Sequence, residues 1–167
     1  MGGMNTKVLI VFGSKSDTDK MEGAAKALHE LGVDYEAHVL SAHRVPEKLE
    51  EVLDEFEKQG GEVVIAGAGL AAHLPGVVAS KTTLPVIGVP LSAAVSGMDA
   101  LFSIVQMPKG IPVATVGIDN AYNAGLLAAQ ILATGDLELR QKIQEARQKM
   151  KEDFTAQNAE TVTFTFE

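Results

Sequence analysis

Two short segments combine residue types that can bind an anion and move a proton. Gly-Ser-Lys-Ser-Asp at 13–17 supplies small residues, hydroxyls and a carboxylate, and Ser-Ala-His-Arg at 41–44 places His43 beside Arg44. Histidine titrates near neutral pH, and arginine is a permanent cation. Each segment follows a short apolar run, which would place both at the carboxyl ends of parallel strands, where open sheets bind ligands. The pair predicts a site for an anionic, hydroxyl-rich substrate that needs a proton moved.

The residues of the first segment have both functional and structural interpretations. Ser14 and Ser16 would present hydroxyls and N–H groups at a helix start, where the helix dipole favours anions. Ser16 with Asp19 three residues later fits a capping-box-like pattern, so a helix cap is favoured for Ser16. Asp17 could accept hydrogen bonds from ribose hydroxyls. For Ser14 and Asp17, ligand binding and capping are equally compatible with the pattern.

A small-residue segment, Gly-Ala-Gly-Leu-Ala-Ala-His-Leu-Pro-Gly at 67–76, would let backbone approach a small planar ligand. Its His73 is either a neighbour of the site or a hydrogen-bonded structural histidine. The segment lacks the third glycine of a dinucleotide fingerprint, because Ala72 stands there. The chain has no cysteine and no His-x-x-x-His pair. No metal site is therefore predicted.

Apolar runs alternate with amphipathic segments along the chain. Strands are predicted at 7–12, 35–40, 62–66, 86–89 and 113–116, and helices at 16–31, 46–58, 77–81, 120–132 and 137–157. This alternation predicts an α/β protein with a parallel sheet and helices on both faces. No linker or repeat interrupts it, so residues 1–167 are predicted to form one domain.

Two segments carry apolar side chains that one subunit would not cover. Residues 91–107 hold Asp99 as their one charged residue, and a helix apolar all round is normally buried on every side. This predicts a subunit interface, with Ile104 as an example of a contact residue. Residues 161–167 alternate threonine with apolar side chains, which predicts that 159–167 form an extended C-terminal tail, with a disordered end as the alternative. Residues 1–6 are predicted to be a leader.

Composition excludes several classes of protein. The chain of 167 residues is 46% hydrophobic and 22% charged, which indicates a globular fold, and its net charge of −8 argues against general binding to nucleic acid or an anionic membrane. The absence of cysteine fits a cytoplasmic protein. We find no signal peptide and no apolar run long enough to span a bilayer.

Four motifs occur in an order that resembles a known family. They are Ser-Ala-His-Arg at 41–44, Ala-Gly-Ala-Gly at 66–69, Ala-Ala-His-Leu-Pro-Gly at 71–76 and Leu-Phe-Ser-Ile-Val-Gln-Met-Pro at 101–108. Over about residues 7–132 the chain closely resembles the 5-(carboxyamino)imidazole ribonucleotide mutases of de novo purine biosynthesis. The resemblance implies a flavodoxin-like three-layer α/β/α sandwich, an octamer with active sites at subunit junctions, and no cofactor. It also suggests functional coupling to the synthetase that makes the unstable substrate.

The resemblance implies a role for each candidate residue. The reaction moves a carboxylate from the exocyclic nitrogen to a ring carbon of the imidazole, through release and recapture of CO2. His43 would be the catalytic acid and base, a dual role that suits imidazole. The implied substrate-binding residues are Asp17 for the ribose, Arg44 with Ser41 for the phosphate, the backbone around Gly69 and Ala71 for the carboxylate or CO2, and also Ser14 and His73.

Two alternatives differ in function. A sister class carboxylates aminoimidazole ribonucleotide with free CO2, but it carries lysine after the histidine and a more polar glycine loop, so Arg44 and 67–76 favour the mutase. The chain departs from the usual mutase sequence at three positions: Leu70 replaces a glycine, Val45 replaces a threonine and Ala100 replaces a serine. A flavodoxin-like ligand-binding module is the other alternative. The absence of tryptophan weakens a flavin-binding role, and the first and third strands end without the acidic residues of a receiver domain.

Overall fold

The described part of the chain folds into five parallel strands and six α-helices. The computed structural model describes residues 6–159 and 161–165. Its elements are β1 (Val8–Phe12), α1 (Thr18–Glu30), β2 (Tyr35–Val39), α2 (Pro46–Lys58), β3 (Val63–Gly69), α3 (Leu74–Lys81), β4 (Val86–Leu91), α4 (Met98–Val105), β5 (Ala114–Thr115), α5 (Ala121–Leu132) and α6 (Leu137–Gln157). The strand order is β2-β1-β3-β4-β5 with every pair parallel. This is the flavodoxin-like order, and the predicted fold class is confirmed.

Helices cover both faces of the sheet. Side chains alternate between the two faces of a strand, so Val8, Ile10 and Phe12 pack on one side while Leu9 and Val11 pack on the other. Helices α1 and α5 cover the first face, and α2, α3 and α4 cover the second. Every residue of β1 is buried as a result, which explains why the strand reads as a continuous apolar run.

The structure corrects two element boundaries next to the motifs. Strand β3 continues to Gly69 because 67–69 pair with β4, so the prediction that these residues open a loop is wrong. A Cβ on Gly67 would lie 2.3 Å from Met21 Sδ, so this glycine makes room for α1. Helix α1 begins at Thr18, after a single 3-10 turn over Lys15–Asp17. Asp17 occupies its N-cap position, and the predicted cap at Ser16 is wrong.

The nearly uncharged segment at 91–107 is only partly helical. Its first residue ends β4, a 3-10 turn follows at Val95–Gly97, and α4 comes next. Helix α4 buries Ala100 and Ile104 against its own sheet, so Ile104 as an example of an intersubunit contact is wrong. Its opposite side is uncovered: Met98, Phe102 and Val105 are 40%, 53% and 48% exposed.

The C-terminal part of the chain makes few contacts within the subunit. Leu139 is the one buried residue of α6. Residues 159 and 161–165 have no regular secondary structure and are exposed. The other tail residues, and 1–5 of the predicted leader, lie outside the described residues, and the domain division stays a prediction. No helix within the described part of the chain is long and apolar enough to cross a membrane.

Candidate active site

A cleft of about 580 Å³ opens at the carboxyl ends of the strands. It lies where the loops after β1, β2 and β3 meet. Strand β1 stands between β2 and β3, so the chain leaves the sheet in opposite directions at this point, and open α/β sheets bind ligands in such a crevice. All eight predicted site residues line the cleft: Ser14, Asp17, Ser41, His43, Arg44, Gly69, Ala71 and His73. Ala93, which the sequence did not indicate, lines it from the loop after β4.

The two predicted site histidines contact each other. His43 Nε2 lies 2.8 Å from His73 Nδ1, and the rings meet edge to face at 75° with centroids 5.0 Å apart. A hydrogen bond between two ring nitrogens requires one to donate and the other to accept, so one of these two nitrogens is unprotonated. Both histidines are exposed to the cleft. The pair therefore presents an imidazole whose orientation is set by a second imidazole.

Arg44 is held by the loop that follows β1. Its Nη2 donates to the backbone oxygen of Gly13 at 2.8 Å, and its backbone N–H approaches Ser41 Oγ at 3.3 Å. Within the described residues this is the one hydrogen bond that the guanidinium makes, so four of its five N–H groups are free to bind an anion. The contact also ties the two motifs at 13–17 and 41–44 together. Arg44 can therefore serve as an anion anchor whose position is already fixed.

Ser14 and Asp17 present oxygen atoms from the loop after β1. Ser14 Oγ lies 2.8 Å from Ser16 Oγ and accepts from the Ser16 backbone N–H at 3.3 Å. The Asp17 carboxylate makes no capping hydrogen bond to the helix it precedes. Burial raises the pKa of Asp17 above its usual value, the charge of Lys20 opposes this rise, and Asp119 adds to it. A half-buried carboxylate without a capping role suits hydrogen bonding to ligand hydroxyls.

The segment between β3 and α3 forms the third wall. Leu70 has a left-handed backbone with φ of 55°, and its side chain is 54% exposed. A non-glycine residue in this region costs about 1–2 kcal/mol, which agrees with glycine being the residue that the family resemblance leads one to expect. The backbone N–H of Ala72 donates to Leu70 O at 2.8 Å, which closes a tight turn. Pro75, within the first turn of α3, fits a helix start.

Three residues beside the cleft form a network that sequence reasoning missed. Lys20 Nζ donates to the backbone oxygen of Ser92 and lies 3.0 Å from Ser92 Oγ and 3.7 Å from Asp119 Oδ1. Asp119 accepts from the Ser92 backbone N–H at 2.8 Å and from its hydroxyl. Partial burial favours the neutral acid, but the Ser92 hydrogen bonds and the Lys20 charge outweigh it and hold the pKa of Asp119 below its usual value. The one sequence signal was that Ser92 and Asp119 follow predicted strands.

A second cavity, of about 340 Å³, lies at the opposite ends of the strands. All its cations are paired, Lys7 with Glu62 and Lys142 with Glu138 at 3.0 Å, and the carboxylate of Asp136, which also lines it, caps α6. Its two cations are therefore already neutralised, and none of the predicted site residues lines this cavity. Within the described residues, no three histidine, aspartate or glutamate side chains group in a way that could hold a metal ion.

Fold and cleft together define a flavodoxin-like α/β protein with a candidate ligand site at the switch point of its sheet. A family model described as AIR carboxylase matches residues 7–153. The chain belongs to the AIR carboxylase family, and the resemblance inferred from the motifs is confirmed.

Curated relatives and solved structures agree with this assignment. The N5-carboxyaminoimidazole ribonucleotide mutase of Pyrococcus abyssi is 57% identical over 146 residues, which cover 87% of this chain and 84% of that protein. The protein of the same name from Escherichia coli K12 is 53% identical over 150 residues, covering 88% and 89%. A crystal structure of Treponema denticola PurE superposes with a TM-score of 0.83 at 29% identity, covering 91% of this chain and 96% of that one.

Proposed function

We propose that this chain is an N5-carboxyaminoimidazole ribonucleotide mutase, an isomerase of purine biosynthesis. The observation that carries the proposal is the cleft itself, in which a paired imidazole, a cation and a free carboxylate come together. These are the groups that a phosphorylated, ribosyl substrate with a proton to move requires. The relatives named for this activity share 53–57% of their residues with the chain over nearly the same span.

The proposed chemistry begins with breaking the bond between the exocyclic nitrogen and the carboxylate carbon. CO2 leaves, the bonding electron pair stays on nitrogen, and protonated His43 donates a proton there. The ring carbon then attacks CO2, and the same imidazole removes the proton from that carbon, which restores aromaticity. One group acts first as acid and then as base, so the proton balance closes without a further reagent. Imidazole suits both steps near neutral pH.

His73 is proposed to orient His43 during these steps. The hydrogen bond of 2.8 Å uses His43 Nε2, so Nδ1, which bonds to no described residue, is free to reach the substrate. When His43 takes up a proton, an unprotonated His73 Nδ1 can accept a hydrogen bond from the Nε2–H of His43 and stabilise the cation. A fixed ring orientation matters because proton transfer needs donor and acceptor within about 2.6–3.2 Å.

The remaining residues are proposed to bind the substrate around the imidazole. The four unused N–H groups of Arg44, together with the Ser41 hydroxyl, would bind the phosphate, because charge-assisted hydrogen bonds are the strong ones. Asp17 would accept from the ribose hydroxyls, with Ser14 beside it. The backbone around Gly69 and Ala71 would hold the carboxylate or the released CO2.

Assembly and location are part of the proposal. The uncovered side of α4, formed by Met98, Phe102 and Val105, supports a homo-oligomer, for which the family resemblance suggests eight subunits. The absence of cysteine agrees with the cytoplasm. We also propose functional coupling to the synthetase that makes the unstable substrate.

A direct assay distinguishes the mutase from a carboxylase that uses free CO2. Purified protein is incubated either with N5-carboxyaminoimidazole ribonucleotide or with aminoimidazole ribonucleotide plus bicarbonate, and the ring-carboxylated product is followed in both. We expect rapid product formation from the first substrate at a rate independent of added bicarbonate. A clear preference for the second mixture would identify the carboxylase instead. No product from either mixture would overturn both.

A further inference from the structure

Lys20, Ser92 and Asp119 connect the start of α1 with the two loops that follow β4 and β5. Lys20 lies in the first turn of α1, Ser92 directly follows β4, and Asp119 follows β5. Ser92 is the centre of this network, because its backbone oxygen and hydroxyl contact Lys20 while its N–H and hydroxyl donate to Asp119. The contacts join residues 72 and 27 positions apart in the chain. Four hydrogen bonds converge on one serine at the edge of the site.

The loop that this network anchors is strained. Val95 has φ of 45° and Ser96 has φ of 55°, and Val95 is 72% exposed. Residues other than glycine in this region cost on the order of 1–3 kcal/mol each, and they persist only where the surroundings hold them. Ala93, at the start of the same loop, lines the cleft. The Ser92 contacts therefore fix the end of the loop that is nearest to the cleft.

The same charges act on Asp17. The pKa of this carboxyl is raised by burial, lowered by Lys20 and raised by Asp119. The other charged or titratable groups that line the cleft with it are Arg44, His43 and His73, from the loops after β2 and β3. Lys20 and Asp119 thus have opposite effects on one carboxylate, although they contact each other and share a partner.

We propose that Lys20 and Asp119, joined through Ser92, are positioning residues that hold the loop after β4 as one wall of the cleft and together set the charges around Asp17, where it would bind the hydroxyls of the substrate. The proposal rests on the proposed function for its assignment of Asp17 to substrate binding. Neither residue lines the cleft, so neither touches the reacting atoms. Their removal should therefore change binding and its pH dependence more than the rate of the bound complex.

The test measures the affinity of a stable ribonucleotide, 5-aminoimidazole-4-carboxamide ribonucleotide, by calorimetry between pH 4.5 and 8. In Lys20→Met the loss of the positive charge raises the pKa of Asp17, so affinity should fall at a higher pH than in the wild type. In Asp119→Asn a negative charge is lost, the pKa of Asp17 decreases, and affinity should persist to a lower pH. Asparagine tolerates the φ of 57° at position 119. Lys20→Arg should restore the wild-type profile.

An Asp17→Asn background provides the matched control. Without a titrating carboxyl at position 17, neither Lys20→Met nor Asp119→Asn should move the pH profile relative to Asp17→Asn alone. In the assay with substrate at pH 7.5, Lys20→Met should raise KM about fivefold and change kcat less than about twofold, the signature of lost ground-state binding. Lys142→Met, which removes the cation of the ion pair with Glu138 on α6, should leave all of these values unchanged.

Hydrogen exchange of the peptide at 92–97 separates failure of this inference from failure of the proposed function. If the wild type binds no imidazole ribonucleotide, the proposed function has failed, and the network is judged by exchange alone. Faster exchange in Lys20→Met and Asp119→Asn than in Lys142→Met supports the anchoring role. Unchanged exchange overturns it. If the wild type binds, two results overturn the role assigned through Asp17. One is that the pH profiles of Lys20→Met and Asp119→Asn equal that of the wild type, and the other is that their shifts persist in the Asp17→Asn background.

Discussion

Replacing Gly125 with alanine tests the packing of α1 against α5. A Cβ on Gly125 would lie 2.5 Å from the backbone oxygen of Ala24 and 2.8 Å from Ala27 Cβ. Carbon–oxygen contacts are normally about 3.3 Å or longer, so the helices would have to separate by roughly 0.8 Å. Overpacking of this kind costs about 1–3 kcal/mol, while alanine gains about 1 kcal/mol over glycine inside a helix. Because the clash involves backbone, which cannot rotate away, we expect a net loss of about 2 kcal/mol.

Thermal unfolding measures this loss. For a chain of this size about 1 kcal/mol shifts Tm by roughly 2–4 °C, so Gly125→Ala should unfold about 4–8 °C below the wild type. All proteins are compared at one concentration, because assembly makes Tm depend on concentration. Gly76→Ala in α3 is the matched control: its Cβ would lie 3.2 Å from Met107 Sδ, on a flexible side chain that can move. Its Tm should equal or exceed that of the wild type. A Gly125→Ala protein as stable as the wild type, or equal losses in both variants, would refute the reasoning.

Three further predictions concern the second helix, the phosphate and the interface. Val45 is the N-cap of α2 and makes no side-chain cap, so Val45→Thr should stabilise the fold by about 1 kcal/mol. The control is Val39→Thr, at an equally exposed strand position, and a Tm for Val45→Thr no higher than that of the control would contradict this. Arg44→Ala should weaken nucleotide binding by about 1.5–3 kcal/mol and nucleoside binding little, and equal losses would remove Arg44 from phosphate binding. Phe102→Glu should lower assembly, measured by sedimentation, together with activity, and an active monomer would exclude a shared site.

The central part of the fold could be predicted from the sequence because its signals are local. Strand β1 is buried on both faces, so its apolar run is continuous, and α2 begins at Pro46 as predicted. The proximity of segments 13–17 and 41–44 could also be predicted, because parallel strands bring their carboxyl ends to one edge of the sheet. The prediction that these segments share a cleft required only the sheet topology.

The sequence predictions failed where the structure depends on contacts between residues that are distant in the chain. Gly67 looked like the start of a loop, but it is a strand residue whose missing side chain accommodates Met21 of α1. Ile104 was chosen from an apolar segment whose buried side could not be known before α4 was placed. The contact of His43 with His73 and that of Lys20 with Asp119 join parts of the chain that are far apart in sequence. No local periodicity could indicate them.

The most direct test of the account is the turnover of N5-carboxyaminoimidazole ribonucleotide by a His43→Asn variant. Asparagine keeps a polar side chain beside His73 but cannot exchange a proton at neutral pH. His38→Asn, on the exposed strand β2 and outside the cleft, is the matched control. Since general acid–base catalysis contributes about 10²–10⁴-fold, His43→Asn should lose at least about 10²-fold in kcat while His38→Asn keeps full activity. A His43→Asn enzyme within about threefold of the wild type would contradict the account.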